Sequence, residues 1–104
     1  MIDTHIITGI LLDEETLTLT ELAQAVAVAP DWVVEHVEAG ILCDGSVAVS
    51  SCRFSSHDLR RARRILDMER HFDAAPELAA LVADLLEERD RLRGKLKAAG
   101  LSPD

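Results

Sequence analysis

Helix start and stop signals divide residues 18–40 into two short amphipathic segments. Thr18 and Glu21 form the S/T-x-x-E capping pattern that begins a helix. Pro30 favours a second helix start, because its missing N–H would be unpaired in the first turn anyway. Gly40 then provides a left-handed stop. Together, these start and stop signals predict a helix-turn-helix unit.

Other patterns predict extended structure around this unit. The aliphatic segment 6–12 predicts a short strand or arm. Asp44-Gly45, within residues 41–54, is a strong two-residue hairpin signal, and Val47 and Val49 alternate with small residues after it. We therefore predict a β-hairpin, or wing, after the two helices.

A third helix is predicted from Ser55, with Asp58 three residues later, to about residue 73. Its apolar side is predicted to comprise Leu59, Ala62, Ile65, Leu66 and Phe72. Residues 1–72 should thus form one winged helix-turn-helix domain.

The last predicted helix begins near Pro76, with Asp73 as a candidate cap, and forms the segment 73–104. Its apolar residues recur with a heptad spacing that is typical of helix pairing. We expect it to pack on the preceding domain and on a second copy of the chain. The predicted packing residues are Leu78, Val82, Leu85, Leu92 and Leu96.

Charge is unevenly distributed along the chain. Residues 1–52 contain nine acidic residues and no Lys or Arg, whereas residues 53–104 contain ten acidic and all eleven basic residues. The halves therefore carry −9 and +1, which sum to the net charge of −8. A negative charge of this size also keeps a small protein soluble, but 52 residues without a Lys or Arg indicate a cationic partner.

The predicted second helix is poorly suited to DNA. A recognition helix uses Lys and Arg for phosphates, and Arg, Lys, Asn or Gln for base edges. Residues 30–39 offer only carboxylates and a His among charged or ionisable side chains. Four Arg between residues 60 and 64 could contact phosphates, but we expect them to act as internal counter-charges or in a protein contact, for example through an Arg63–Asp67 pair. A MerR-like DNA-binding regulator is the alternative function.

No pattern indicates catalysis, a cofactor or a metal. The four His residues have no obvious nucleophile partner. Cys43 and Cys52 do not match zinc-ligand spacing, and we expect two reduced, buried thiols. No apolar run reaches the roughly 20 residues that span a bilayer, and residues 1–12 lack a basic leader region. We predict a cytoplasmic protein that is not an enzyme.

Five stretches, taken together, resemble the chaperone-modulator (CbpM-like) family. In chain order they are Thr18-Leu-Thr-Glu-Leu, Trp32-Val-Val-Glu-His-Val-Glu-Ala-Gly-Ile-Leu, Arg53-Phe-Ser, Leu59-Arg-Arg-Ala-Arg-Arg and Asp84-Leu-Leu-Glu-Glu-Arg-Asp-Arg-Leu-Arg. The resemblance covers residues 9–97. It implies a mainly α fold with a small β-hairpin wing, a MerR-like winged helix-turn-helix followed by a long C-terminal helix, in a cytoplasmic bacterial dimer. It also implies binding to the J-domain of a DnaJ-like co-chaperone, which would then no longer stimulate Hsp70.

The charge distribution and the resemblance indicate the same kind of surface. The resemblance implies a partner with a basic helix, and an acidic surface would attract it and speed docking. The hypothesised partner-binding residues are Asp31, Trp32, Glu35 and Glu38, with Trp32 as an aromatic anchor. The alternative places Trp32 in the core and the interface on the last helix.

Overall fold

The computed structural model describes residues 16–43 and 48–101. These residues form the helices α1 (Leu19–Val26), α2 (Pro30–Glu38), α3 (Ser56–Phe72) and α4 (Pro76–Ala98), with a 3-10 helix at Val49–Ser51. The predicted arm at 6–12 and the Asp44-Gly45 turn lie outside the described residues. None of the helices is both long and apolar enough to cross a membrane, within the part of the chain described.

The local signals of α1 and α2 act as predicted. Thr18 Oγ1 accepts the Glu21 N–H at 3.2 Å, and Glu21 Oε1 accepts the Thr18 N–H at 2.8 Å, so the capping box is complete. Pro30 is the first residue of α2, and Gly40, with a φ of 77°, follows its end. The two helices bury Leu22, Ala23, Val26, Val33 and Val37.

The predicted wing is not confirmed. Phe54 pairs with Leu17 in an isolated antiparallel bridge, with N–O distances of 2.8 and 2.9 Å. Val49 belongs to the 3-10 helix and not to an alternating strand. Within residues 16–43 and 48–101, this single bridge is the longest β pairing. Because the Phe54 side chain is fully buried, the bridge anchors the entry of α1 to the entry of α3.

Cys43 and Cys52 form a disulfide, so the expectation of free thiols is wrong. Their Cα atoms lie 6.2 Å apart, within the range that a disulfide spans. The fold brings the two residues together although nine positions separate them, which spacing alone does not reveal. The bond closes the loop that holds the 3-10 helix beside α2.

The third helix follows its prediction at both ends. Ser55 and Asp58 form a second capping box, and Asp73, with a φ of 53°, is the C-cap. The buried side of α3 comprises Leu59, Ala62, Ile65 and Leu66. Phe72, which was predicted on this side, is 71% exposed because it is the last residue of the helix.

The fourth helix packs on α3 through two alanines. Ala79 and Ala83 have no exposed surface, and such small side chains let two helix backbones approach closely. Asp73 does not cap α4 as predicted, because the N-cap is Ala75 and makes no side-chain cap bond. From residue 88 to residue 101 every side chain is exposed, so the second half of α4 contributes no side chain to the core.

Candidate functional site

Three carboxylates form an acidic edge on α2. Asp31, Glu35 and Glu38 lie at helical positions i, i+4 and i+7, and all three are exposed. Val33 and Val37 are buried on the opposite side of the helix. The acidic edge makes no ion pair with any residue in the described ranges, so its charge is not neutralised there.

Beside the acidic edge, Trp32, His36 and Glu69 form a latch between α2 and α3. The Trp32 indole N–H donates to Glu69 Oε1 at 2.8 Å, and His36 Nε2 lies 2.6 Å from Glu69 Oε2. The Trp32 and His36 rings are stacked, with centroids 3.9 Å apart. A single carboxylate on α3 therefore binds two side chains of α2.

The latch gives the His36 ring two polar partners. Nδ1 lies within hydrogen-bond distance of the Trp32 carbonyl oxygen, at 2.7 Å. Nε2 lies against the carboxylate of Glu69 on the other side of the ring. His36 is only 4% exposed, and the latch satisfies both of its ring nitrogens.

The latch changes the interpretation of Trp32. Its side chain is half-buried and hydrogen-bonded to α3, so it lies neither fully in the core nor free on the acidic edge. The latch binds α2, and with it the acidic edge, to the rest of the protein. A partner-binding role for Trp32 stays a prediction.

An open groove lies on the other side of the acidic edge, with a volume of about 540 Å³. It is lined by Thr18, Leu19, Thr20, Val34, Glu38, Val49 and Ser50. The three aliphatic side chains are half-buried, whereas Thr20, Glu38 and Ser50 are exposed. We call this the α1–α2 groove.

Arg61 acts as a counter-charge for α4. Its Nη1 lies 2.7 Å from both Asp84 Oδ1 and Glu87 Oε2, and its Nε donates to the Ile41 carbonyl at 2.9 Å. Burial disfavours the charge of Arg61, but the hydrogen bonds to Glu87 and Asp84 outweigh it and raise its pKa. The internal counter-charge interpretation is confirmed for this residue.

Arg64 is paired in the same way. Its Nη2 lies 2.7 Å from Asp90 Oδ2 on α4. Hydrogen bonds from Arg64 and Arg89 lower the pKa of Asp90. A lowered carboxylate pKa contributes stability that is complete above the unfolded value, about 3.9, and is lost as the pH falls through the folded value. The contribution of Asp90 is therefore present at neutral pH and lost in acid.

The rest of the arginine cluster is less constrained. Arg60 is exposed. The predicted Arg63–Asp67 ion pair is not formed, and Asp67 Oδ1 lies instead 4.0 Å from His71 Nε2. The cluster is therefore divided between two arginines that hold α4 and two that do not.

Replacing Arg61 by Met should lower the free energy of unfolding by about 1–3 kcal/mol. The Ile41 carbonyl would lose its donor and two carboxylates their cation, while Met keeps much of the aliphatic volume. Urea unfolding followed by circular dichroism measures this loss. Arg60→Met is the matched control on the exposed side of the same helix, and it should change stability by no more than about 0.5 kcal/mol. Equal losses in the two variants would contradict the assignment.

A leucine stripe runs along the solvent side of α4, opposite Ala79 and Ala83. Its members and their exposed fractions are Leu78 (54%), Leu81 (53%), Leu85 (62%), Leu92 (48%) and Leu96 (38%). Of the residues predicted to pack, only Val82 is half-buried. The leucine stripe therefore makes no part of the core.

Sequence reasoning missed the latch. His36 lies within the apolar side of α2, between Val33 and Val37, and a His in such a position signals a need for buried polar partners. Glu69 is 33 residues away, on the side of α3 that faces α2. No local pattern joins two residues at that distance.

Comparison with known proteins agrees with this architecture. No curated protein and no solved structure matched the chain. A family model described as "MerR HTH family regulatory protein" matches residues 17–98, which include all four helices. The chain therefore belongs to the MerR helix-turn-helix family of regulatory proteins.

Proposed function

We propose that this protein binds a cationic surface of another protein through its acidic edge and has no enzymatic activity or cofactor. The partner that fits the sequence resemblance is the J-domain of a DnaJ-like co-chaperone, which would be kept from stimulating Hsp70. The observation that carries the proposal is the acidic edge, whose charge no residue in the described ranges neutralises.

Electrostatics favours a protein partner over DNA. In a helix-turn-helix protein the second helix enters the major groove, where it would bring Asp31, Glu35 and Glu38 close to phosphates. Each like-charge pair about 4 Å apart costs about 1 kcal/mol in water and more near a protein surface. A basic helix in the same position would be attracted, and the attraction would speed docking.

The test combines binding with activity. Isothermal titration against the J-domain of a DnaJ-like protein should show salt-dependent binding, and the same J-domain should stimulate the ATPase of an Hsp70 less when this protein is added. The basal ATPase of Hsp70 without the J-domain is the control and should not change. Absence of binding at low salt would overturn the proposal.

DNA binding remains the second candidate, because the matching family model describes regulatory proteins with a helix-turn-helix. Arg60 and Arg53 are exposed and could contact phosphates. A gel-shift assay at low salt distinguishes the two functions, since a DNA-binding regulator should retard duplex DNA with a steep salt dependence.

We also propose that the leucine stripe pairs two copies of the chain. The charges of α4 favour an antiparallel arrangement: residues 76–88 contain four acids and no Lys or Arg, whereas residues 89–98 contain five basic residues and one acid. Antiparallel pairing places each basic end beside the acidic end of the other copy, whereas parallel pairing juxtaposes like charges.

Replacing Leu85 by Glu should convert the dimer to a monomer. Leu85 is the most exposed member of the leucine stripe, and a dimer would have to bury the introduced charge without a partner. Sedimentation velocity at micromolar concentration measures the change, and the circular dichroism of the monomer should stay helical. Leu101→Glu, an exposed leucine after the end of α4, is the control and should remain a dimer. A wild-type protein that sediments as a monomer would contradict the pairing.

A further inference from the structure

We propose that the α1–α2 groove receives an apolar side chain from a cationic amphipathic helix of the partner protein, with a basic residue of that helix paired to Glu38. The inference deepens the proposed function and rests on it only for the positive charge of the partner. The centre of the proposed interface then lies where the acidic edge meets the apolar α1–α2 groove, and not on the acidic edge alone.

The floor of the groove comes from three separate elements. Leu19 belongs to α1, Val34 to α2 and Val49 to the 3-10 helix, and each is only half-buried. The three aliphatic side chains thus converge on one surface that no described residue covers completely. Covering this surface with an apolar side chain of a partner would remove it from water and so favour binding.

The walls of the groove are held in place without a ligand. The capping box fixes Thr18 at the start of α1, and the preceding residue, Leu17, is hydrogen-bonded to Phe54. The disulfide anchors Cys52, which directly follows the 3-10 helix. A groove that is already formed loses little conformational freedom on binding.

Glu38 makes the groove selective for charge. It belongs both to the acidic edge and to the lining of the groove, so one ligand helix could reach the apolar floor and a carboxylate together. Residues 16–43 and 48–52 contain four acidic residues and no Lys or Arg. An acidic helix would meet repulsion at this surface, whereas a Lys or Arg one turn from an apolar anchor would be attracted.

A helix fits this groove better than a strand or a small molecule. Strand addition needs an unpaired sheet edge, and the only β pairing of the described residues is the bridge between Leu17 and Phe54. The groove is open to solvent, so a small molecule would stay largely hydrated. A side chain delivered on a helix is covered by the rest of the partner.

Methyl NMR on the full chain tests the inference. The probe is a synthetic Ala-based helical peptide with Leu on one face and Lys flanking it, and its matched control carries Glu in place of Lys. At low salt the Lys peptide should shift the methyl signals of Leu19, Val34 and Val49, and the Glu peptide should not. Shifts confined to the leucine stripe would overturn the inference.

Two neighbouring variants supply a matched pair. Ser50 lines the groove and is exposed, so Ser50→Trp should fill the groove without disturbing the core, and should weaken peptide binding at least tenfold. Ser51 is also exposed on the same 3-10 helix but does not line the groove, so Ser51→Trp should leave the affinity unchanged. Equal effects of the two variants would also overturn the inference, and circular dichroism verifies that both are folded.

The same spectra identify other occupants. Nuclear Overhauser contacts from the groove methyls to residues 1–15 in the free protein would show that the chain fills its own groove. Shifts that depend only on protein concentration would show a second copy there. Either result overturns the inference.

Failure of the inference differs from failure of the proposed function. J-domain binding that Ser50→Trp leaves intact rejects the groove and retains the function. Lys-peptide binding in the groove with no J-domain binding retains the groove and rejects the J-domain as partner.

Discussion

Reversing two charges of the acidic edge, by Glu35→Lys with Glu38→Lys, is expected to weaken binding to a J-domain at low salt by about ten- to a hundredfold. Each reversal replaces an attraction of about 1 kcal/mol in water with a repulsion of similar size, and mobile ions screen part of the change. Both side chains are exposed and make no described ion pair, so the fold should tolerate the change. Most of the loss should appear in the association rate, which surface plasmon resonance measures.

A second double variant separates the effect of charge position from the effect of net charge on binding. Asp67→Lys with Glu77→Lys makes the same change in net charge at exposed residues of α3 and α4. It should affect binding much less, and the difference between the two double variants should shrink at high salt. If both weaken binding equally, the effect belongs to net charge and the acidic edge is not the interface.

Removing the latch carboxylate, by Glu69→Ala, is expected to lower the free energy of unfolding by about 1–3 kcal/mol, as is typical when a buried polar group loses its hydrogen-bond partner. His36 is 4% exposed and would keep a buried ring nitrogen without its partner. The indole N–H of Trp32 would lose its acceptor at the same time. A loss of this size is a large part of the 5–15 kcal/mol that usually separates folded from unfolded domains.

Fluorescence distinguishes loss of the latch from general destabilisation. Trp32 is the only Trp of the chain, so its emission reports the contact between α2 and α3 directly. Glu69→Gln keeps an acceptor for the indole and should cost less than Glu69→Ala. Arg70→Ala, at the next and exposed position of α3, should change neither stability nor emission. A Glu69→Ala protein as stable as the Arg70→Ala protein would disprove the latch.

Helix boundaries were predictable because the signals are local. The capping boxes at Thr18 and Ser55, and the prolines at the start of α2 and α4, act within one turn of the chain. The wing was less predictable, because Phe54 makes its backbone bridge to Leu17, a distant residue that a hairpin signal does not include. The disulfide was missed for a similar reason, since nothing in the spacing of the two Cys shows that the fold brings their Cα atoms to 6.2 Å.

The candidate site was predictable where it is exposed and unpredictable where it is buried. Helical periodicity alone places Asp31, Glu35 and Glu38 on one edge, and the structure exposes all three. The latch depends on the contact of two helices that lie far apart in sequence. The leucine stripe shows the same limit, because a heptad pattern identifies apolar residues but not which side of α4 faces its own core. The side of α4 that packs on α3 carries Ala79 and Ala83, which are less apolar than the leucines.

The contact of α4 with α3 through Ala79 and Ala83 has a consequence for avidity. Because two methyl groups set how closely the helices approach, a bulkier residue at either position would lift α4 and change its tilt. In the proposed dimer, that tilt determines the span between the two partner sites. A bivalent target gains from simultaneous engagement only when its own spacing matches this span. Substitutions at these two alanines would thus change which bivalent targets the dimer can bind at both sites. The residues that contact the target would stay the same.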